Sequence, residues 1–268
     1  MRHPLNGATR VHFVVGDPIA QVKSPHGVTG ALQARGLDVA VLPAHVTAED
    51  LAAWAAGVSL AKNVDGIIVT VPHKFAAFDL CATTSDRARF LHVVNVMRRN
   101  AGGSWHGDMF DGLGFVAAMR DNGCEPRDRS VLLVGAGGAG SAIAHALVAA
   151  GARTLAIHDT SDARRSLLTA RLAALGSTRI AQGGADPTGY DIVLNATPAG
   201  MRDADPLPID TARLTPSMFV GCVITAPVIT PLIAIAREKG CSTMTGADMF
   251  ARVRDLIVDF LVEKPQRA

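Results

Sequence analysis

Apolar and polar positions divide the chain into short β-branched runs and longer Ala-rich stretches of helical period. Val11–Val15 predicts a strand, Pro25–Arg35 a helix and Val39–Leu42 a second strand. Ala48–Ala56 predicts a helix opened by Thr47, and Gly66–Val71 a fully apolar strand ended by Pro72. A second series opens near Gly112. It has a helix over Leu113–Asn122, a buried strand over Ser130–Val134, a glycine cluster at 135–140 and a helix over Ser141–Ala150. Thr154–Ile157 follows as a strand, then an Arg/Ala/Leu helix at 162–175, strands at Asp191–Asn195 and Met218–Ile224, and an amphipathic helix at Met249–Val262. Alternation of this kind predicts an α/β protein built on mostly parallel sheets. The last helix is expected to return to the first domain. That assigns residues 1–112 plus 247–268 to one α/β domain and 113–246 to a doubly wound one.

Composition narrows the chemistry. The chain has 268 residues, 49% hydrophobic but only 4% aromatic, so the core is aliphatic and suits helices on a buried parallel sheet. The net charge is +2 and no Lys/Arg block stands out, which argues against a nucleic-acid partner. No apolar run is long enough to span a bilayer, and Val11–Val15 is too short for a signal-peptide core. Cys81, Cys124, Cys222 and Cys241 are scattered without a C-x-x-C pair, so they read as free thiols of a cytoplasmic protein rather than disulfides or a metal site.

The glycine cluster has a specific setting. Gly135, Gly137 and Gly140 follow the strand Val131–Val134 directly and open an Ala-rich helix. The first glycine permits a tight turn, the second lets a pyrophosphate approach the backbone, and the third allows close strand–helix packing. The helix N-terminus adds N–H groups and a positive dipole end. A nicotinamide dinucleotide is the expected cofactor, with Gly135, Ala136, Gly137, Gly138 and Ala139 against its phosphates. The next strand runs into His158-Asp159-Thr160, where a carboxylate accepts from both adenosine ribose hydroxyls and repels a 2′-phosphate. Asp159 therefore favours NAD over NADP. Its competing role is to cap the following helix, and Arg164 and Arg165 stand where a 2′-phosphate is in reach.

Hydride exchange with an alcohol needs a group that moves the hydroxyl proton. The strand Ile67–Val71 ends in Pro72-His73-Lys74, which places Lys74 just past a sheet edge, with His73 expected on a solvated loop. Asp111, at the predicted domain junction, is the fitting carboxylate partner. The expected substrate is a small molecule.

Together these segments resemble the shikimate dehydrogenase family. The matching pieces are Gly16-Asp17-Pro18-Ile19 with Lys23-Ser24-Pro25, Val69–Lys74, Val94-Asn95, Gly107-Asp108 to Asp111-Gly112, Gly135–Ala139 and Asn195–Met201. The resemblance implies a substrate domain and a Rossmann-type nucleotide domain separated by a cleft. It implies Lys74 as acid/base and Asp111 as the residue that holds the substrate hydroxyl. Ser24, Thr70 and Asn95 would be substrate contacts, and Thr197, Val223 and Gly246 would lie by the cofactor.

The departures from the family pattern fall on substrate positions. Val22, Ile68, Phe110 and Val253 stand where the family places hydrogen-bonding side chains, and Thr225 stands where it has tyrosine. Each lost partner to a buried polar group forfeits about 1–3 kcal/mol. The expectation is a dehydrogenase of the family's chemistry whose cyclic substrate is less polar than shikimate. Two other readings stay open at this point. One is a true shikimate or quinate dehydrogenase whose substrate carboxylate is held by Arg252 or Arg254. The other is a non-catalytic dinucleotide-binding redox sensor.

Overall fold

The computed structural model describes residues 5–176 and 178–263. The chain folds as two compact units, Met1–Phe110 with Arg254–Ala268, and Asp111–Val253. The first unit thus ends at 110 and resumes at 254, against the predicted 112 and 247.

The first unit begins with β1 (Arg10–Gly16), α1 (Ser24–Ala34), β2 (Val39–His45), α2 (Leu51–Leu60) and β3 (Val64–Val69). Helix α2 starts later than predicted, after Asp50 rather than Thr47. Then follow α3 (Ala76–Asp79), β4 (Thr83–Thr84), α4 (Asp86–Leu91), β5 (Val96–Arg99) and β6 (Trp105–Asp108). The sheet order is β2-β1-β3-β5-β6-β4. Strands β1, β2 and β3 run parallel, as two βαβ crossovers require. Strand β5 alone is antiparallel to its neighbours β3 and β6, and the other five strands run one way, so the sheet is mixed but mostly parallel, as expected. The mixing comes from the β5–β6 hairpin, whose strands of four residues each carry too little pattern to stand out in the sequence.

The second unit begins with α5 (Asp111–Asp121), β7 (Ser130–Val134), α6 (Gly138–Ala149), β8 (Thr154–His158), α7 (Asp162–Ala173) and β9 (Arg179–Gln182). It continues with β10 (Ile192–Asn195), β11 (Phe219–Cys222), α8 (Pro231–Glu238), β12 (Ser242–Met244) and α9 (Gly246–Val262). The sheet is all parallel, in the order β12-β11-β10-β7-β8-β9. From β7 the chain winds outward through β8 and β9, then returns and winds the other way from β10. The strand order therefore reverses between β7 and β10, the position at which open α/β sheets bind ligands at the carboxyl ends of their strands. Leu132, Leu133, Leu155, Ile157, Val193 and Val220 fill both faces with aliphatic side chains that are fully buried.

The final residues of α9 belong to the first unit and pack on its sheet. Leu261 lies over Gly66, where a Cβ would overlap it. Phe260 meets Phe110 edge-on at 5.6 Å, and the Arg98 guanidinium sits 4.7 Å over the Phe260 ring. All four cysteines are free; Cys124, Cys222 and Cys241 are buried and Cys81 is half-buried. Among the described residues no helix is long and apolar enough to cross a membrane.

Candidate active site

In the first unit the chemistry-bearing loops gather at the carboxyl end of β1 and β3. The Thr70 N–H donates to Val15 O (3.0 Å) and the Asp17 N–H to Val71 O (2.9 Å), which zips the Gly16 turn to the Thr70-Val71 turn. Gly16 is required there, since a Cβ would overlap Thr70 Cγ2. A turn closed by the His73 N–H on Thr70 O (3.0 Å) then delivers Lys74, half-buried, whose carbonyl accepts from the Val94 N–H (2.9 Å). His73 is not the solvated loop residue expected. It is 1% exposed and its Nε2 is 2.8 Å from Val46 O, so it anchors the turn that carries Lys74.

Asn95 is the centre of this arrangement. It is buried, its N–H donates to Asp108 O (3.0 Å) and its carbonyl accepts from the Val69 N–H (2.8 Å). Its Oδ1 accepts from the Phe110 N–H at 3.0 Å, so at least that atom serves the loop rather than a substrate. Asp108 was passed over in the sequence except as part of a motif. It is buried and accepts from Ser85 Oγ, from Arg87 Nε (2.8 Å) and Nη2 (2.5 Å), and from the Met109 N–H (2.7 Å). The only sequence signal was Ser85, the N-cap of α4, two residues before Arg87. Arg87 also lies 4.8 Å over the Phe110 ring.

These contacts decide where the apolar replacements sit. The Phe110 ring is buried between Arg87 and Phe260. Ile68, on β3 opposite Val96, is likewise buried, and Val22 is half-buried ahead of α1. Ser24 is the first residue of α1 and buried, and Thr70 is half-buried.

In the second unit Asp111 is the first residue of α5 and is 5% exposed, at the helix end whose dipole favours a negative charge. Val253 is buried against Gly114 of α5, so close that a Cβ on Gly114 would overlap its methyl. It is a packing residue between α5 and α9. Arg252 pairs with Asp121 (Nη2 to Oδ1, 2.7 Å) and Arg254 with Asp255 (2.7 Å), so each guanidinium already holds a carboxylate of the chain.

The glycine loop fits a dinucleotide. Gly135 has φ +106°, a left-handed conformation that favours glycine, and a Cβ there would come 2.9 Å from Ala196 O and from Thr197 Cγ2. A Cβ on Gly140 would overlap the Gly135 carbonyl oxygen, whereas Gly137 faces open space with nothing within 4 Å. Gly138 and Ala139 open α6, and no side chain caps that helix. Open space over Gly137 beside an uncapped helix end is what a pyrophosphate requires.

Asp159 reaches this loop directly. Its Oδ2 accepts from the Ala136 N–H and its Oδ1 from the Ser161 N–H, both at 2.7 Å, with Arg164 Nη2 3.2 Å from Oδ1. Burial alone would raise its pKa, but these donors outweigh burial and hold it below the ordinary carboxylate value. The cap of α7 is Ser161, whose Oγ accepts from the Arg164 N–H, so Asp159 is not the capping residue. Thr160 is exposed beside it.

The remaining predicted cofactor residues form a connected rim. Asn195 Oδ1 accepts from the Thr197 N–H (3.0 Å) and hydroxyl (2.6 Å), and Thr197 Oγ1 accepts from the Ala199 N–H (3.1 Å). The Thr197 hydroxyl therefore shapes its own loop, and Asn195 is the organiser that sequence reading left without a role. The Val223 N–H donates to Asn195 O (3.0 Å). Gly246 is buried where a Cβ would overlap Ile224 O. Thr225 is half-buried on the loop after β11.

Residues 14–97 match the family model described as the shikimate dehydrogenase substrate binding domain. The shikimate dehydrogenase (NADP(+)) of Acidiphilium cryptum (strain JF-5) is 37% identical over 248 residues, covering 91% of this chain and 87% of that protein. The quinate dehydrogenase of Corynebacterium glutamicum, solved in complex with NAD, matches with TM-score 0.83 and 26% identity over 96% of this chain and 95% of that one. The 5-ketofructose reductase of Gluconobacter sp. strain CHM43 matches with TM-score 0.83 and 26% identity over 96% of this chain and 94% of that one.

Proposed function

Since the chain belongs to the shikimate dehydrogenase family, we propose that it exchanges hydride between a nicotinamide cofactor, NAD in preference to NADP, and a hydroxyl or ketone of a small cyclic substrate less polar than shikimate. The bound cofactor supplies or accepts the hydride. Lys74 takes the hydroxyl proton on oxidation and returns it on reduction, and Asp111 orients the hydroxyl. Ser24 and Thr70 are the polar substrate contacts that this chain keeps, while Val22 and Thr225 line the less polar side. The backbone N–H groups at the start of α6, from Gly137 to Ala139, carry the phosphates, Gly135 and Ala136 shape the turn that delivers them, and Asp159 receives the adenosine ribose.

One observation carries the altered-substrate reading. Ile68 and Phe110 stand at two positions where the family has polar groups, and they are only 4% and 7% exposed. A polyhydroxylated acid would find no hydrogen-bonding side chain at these places. At about 1–3 kcal/mol for each unsatisfied buried group, two such losses lower productive binding by at least about tenfold. The fold does not tie the chemistry to shikimate, as the likeness to a 5-ketofructose reductase indicates.

The test follows reduced-cofactor absorbance with shikimate and quinate, offered with NAD⁺ and with NADP⁺. The wild-type protein should turn over both acids poorly, and the triple variant Val22→Ser, Ile68→Asn, Phe110→Thr should raise shikimate turnover at least about tenfold. Lys74→Ala should abolish that turnover, by about 10²–10⁴-fold, with dinucleotide binding intact. Brisk wild-type turnover of shikimate would overturn the altered substrate and leave the family's own activity. Undiminished turnover by Lys74→Ala would overturn the assignment of the acid/base.

The true shikimate or quinate reading keeps support from the 37% identity to a shikimate dehydrogenase. The carboxylate anchors first considered for it, Arg252 and Arg254, are the ones already paired with Asp121 and Asp255.

A further inference from the structure

Two polar side chains of the first unit are buried with an unmet nitrogen, and both line one cavity. His12 and Arg98 are 5% and 7% exposed, and neither His12 Nδ1 nor Arg98 Nε has a hydrogen-bond partner among the described residues. They stand in one row across the sheet, with Gly66 of β3 between His12 of β1 and Arg98 of β5. A Cβ on Gly66 would come 2.7 Å from His12 Nδ1, so glycine leaves that nitrogen room. The cavity beside this row measures about 590 Å³ and lies at the amino ends of β1, β2 and β3, where Arg10, Val39 and Asp65 line it. The loop bearing Lys74 follows the opposite end of β3. Strand β1, seven residues or roughly 20 Å long, spans the distance between the two ends. We propose that this cavity is a second ligand site, apart from the candidate active site, and that it takes a small organic carboxylate with an apolar body.

The unspent hydrogen-bonding capacity of the lining is donor capacity. Asp65 accepts from Arg10 Nε (2.6 Å) and Nη2, Asp38 from the Thr9 hydroxyl (2.9 Å), and Glu263 from Arg98 Nη2 (2.7 Å). Arg99 donates to the carbonyls of Val64, Ser59 and Ala61. The Arg98 Nε–H is left over, and His12 Nδ1 joins it in the tautomer that carries the proton there. A buried donor left unmade is unfavourable, and an acceptor that enters the cavity relieves it.

Charge points the same way. Arg10, Arg98, Arg99 and the exposed Lys62 face the carboxylates of Asp38, Asp65 and Glu263, so one further negative charge balances the lining. His12 adds no charge at neutral pH, because burial lowers its pKa to about 4. The rest of the wall is apolar, with Leu32, Leu37 and Leu261. A neutral alcohol would meet the leucines but not the charge, and inorganic phosphate the charge but not the leucines.

The experiment is calorimetric titration of the full chain at pH 7 with hexanoate, 1-hexanol and inorganic phosphate, with thermal melts of each variant. Hexanoate should bind at least about tenfold more tightly than either of the others, and should raise the Tm once its concentration exceeds its Kd. Arg98→Lys keeps the charge but removes Nε, and should weaken hexanoate at least about tenfold. His12→Phe keeps a ring without nitrogen and should weaken it at least about threefold, which decides the matter if Arg98→Lys does not fold. Lys74→Ala, at the far end of the strands, should leave hexanoate affinity within about twofold. No binding of hexanoate would overturn the proposal and leave a cavity filled by water. Phosphate or hexanol bound as tightly as hexanoate would overturn the carboxylate with an apolar body. Hexanoate binding lost in Lys74→Ala and kept in both Arg98→Lys and His12→Phe would put the acid in the candidate active site and overturn the second site.

Discussion

The two units hold their candidate groups by different means. In the second unit the candidate groups are backbone amides at the start of α6, beside Gly137, whose Cβ position has nothing within 4 Å. In the first unit the groups are side chains on separate loops, after β1, after β3, before β5 and after β6. Hydrogen bonds through Asn95 and Asp108 bring the last three together. A backbone site is a local property of sequence. A side-chain site is a property of topology, and it can change its ligand by exchanging a few residues while the scaffold stays as it is.

The largest effects should come from separating shape from recognition within the glycine loop. Gly140→Ala puts a methyl into the Gly135 carbonyl, a backbone group that cannot move aside, and should cost about 3 kcal/mol or more in denaturant unfolding. Gly137→Ala meets nothing within 4 Å and its φ of −75° suits any residue, so its stability should match the wild type. Its methyl would fill the space a pyrophosphate needs, and NAD⁺ binding should weaken at least about tenfold. If Gly137→Ala binds NAD⁺ normally, the loop is not the phosphate cradle, and the contrast between the units fails at its root.

Legibility in the sequence follows the same division. Strand β7 was predicted at its observed bounds, Ser130–Val134, because a fully buried parallel strand reads as one apolar block ended by glycine. Strand β12 and helix α8 were missed, although Thr230 followed by Pro231 is a strong helix start: the Thr230 Oγ1 accepts from the Ile233 N–H. In the first unit the β5–β6 hairpin escaped notice, and with it the antiparallel pairing that positions Asn95 and Asp108. Lys74 stands out at a strand end and Asp111 at the predicted domain junction, and the family resemblance implies their roles. Arg87, His73 and Asn195 act through contacts 21, 27 and 2 residues away, and nothing in spacing alone marks such partners.

An intermediate effect should appear with pH, and it belongs to the first unit. His12 lies in the middle of β1 opposite Gly66, 5% exposed, and no partner for its Nδ1 is found among the described residues. Burial lowers its pKa to about 4; Asp65 partly opposes this and Arg10 adds to it. The folded value is below the unfolded one, near 6.5, so the unfolded chain takes up the proton first. Stability from this residue is therefore complete above about pH 6.5 and is lost as pH falls toward 4. The loss amounts to at most about 3 kcal/mol at about 1.36 kcal/mol per unit. His12→Leu should flatten the part of the acid limb that lies between those values. An unchanged limb in urea titrations at stepped pH would show that other groups carry the acid sensitivity of the first unit.

The smallest effect tests whether ion pairs hold the end of α9 to the first unit or merely decorate it. Arg35 and Asp259 bond at 2.6 Å, but both side chains are well exposed, 43% and 65%. An exposed pair is screened by salt and restrains two long side chains, so Arg35→Ala should cost less than about 1 kcal/mol, and less still at high salt. Arg98 is the counterpart from the same surface: 9% exposed, 2.7 Å from Glu263 and stacked on Phe260. Its removal leaves the ring and the carboxylate short of a partner, and Arg98→Ala should cost about 2–4 kcal/mol. Equal costs for the two variants in urea unfolding would mean that helix packing through Leu261 and Phe260 holds the helix end and that neither charge decides its place.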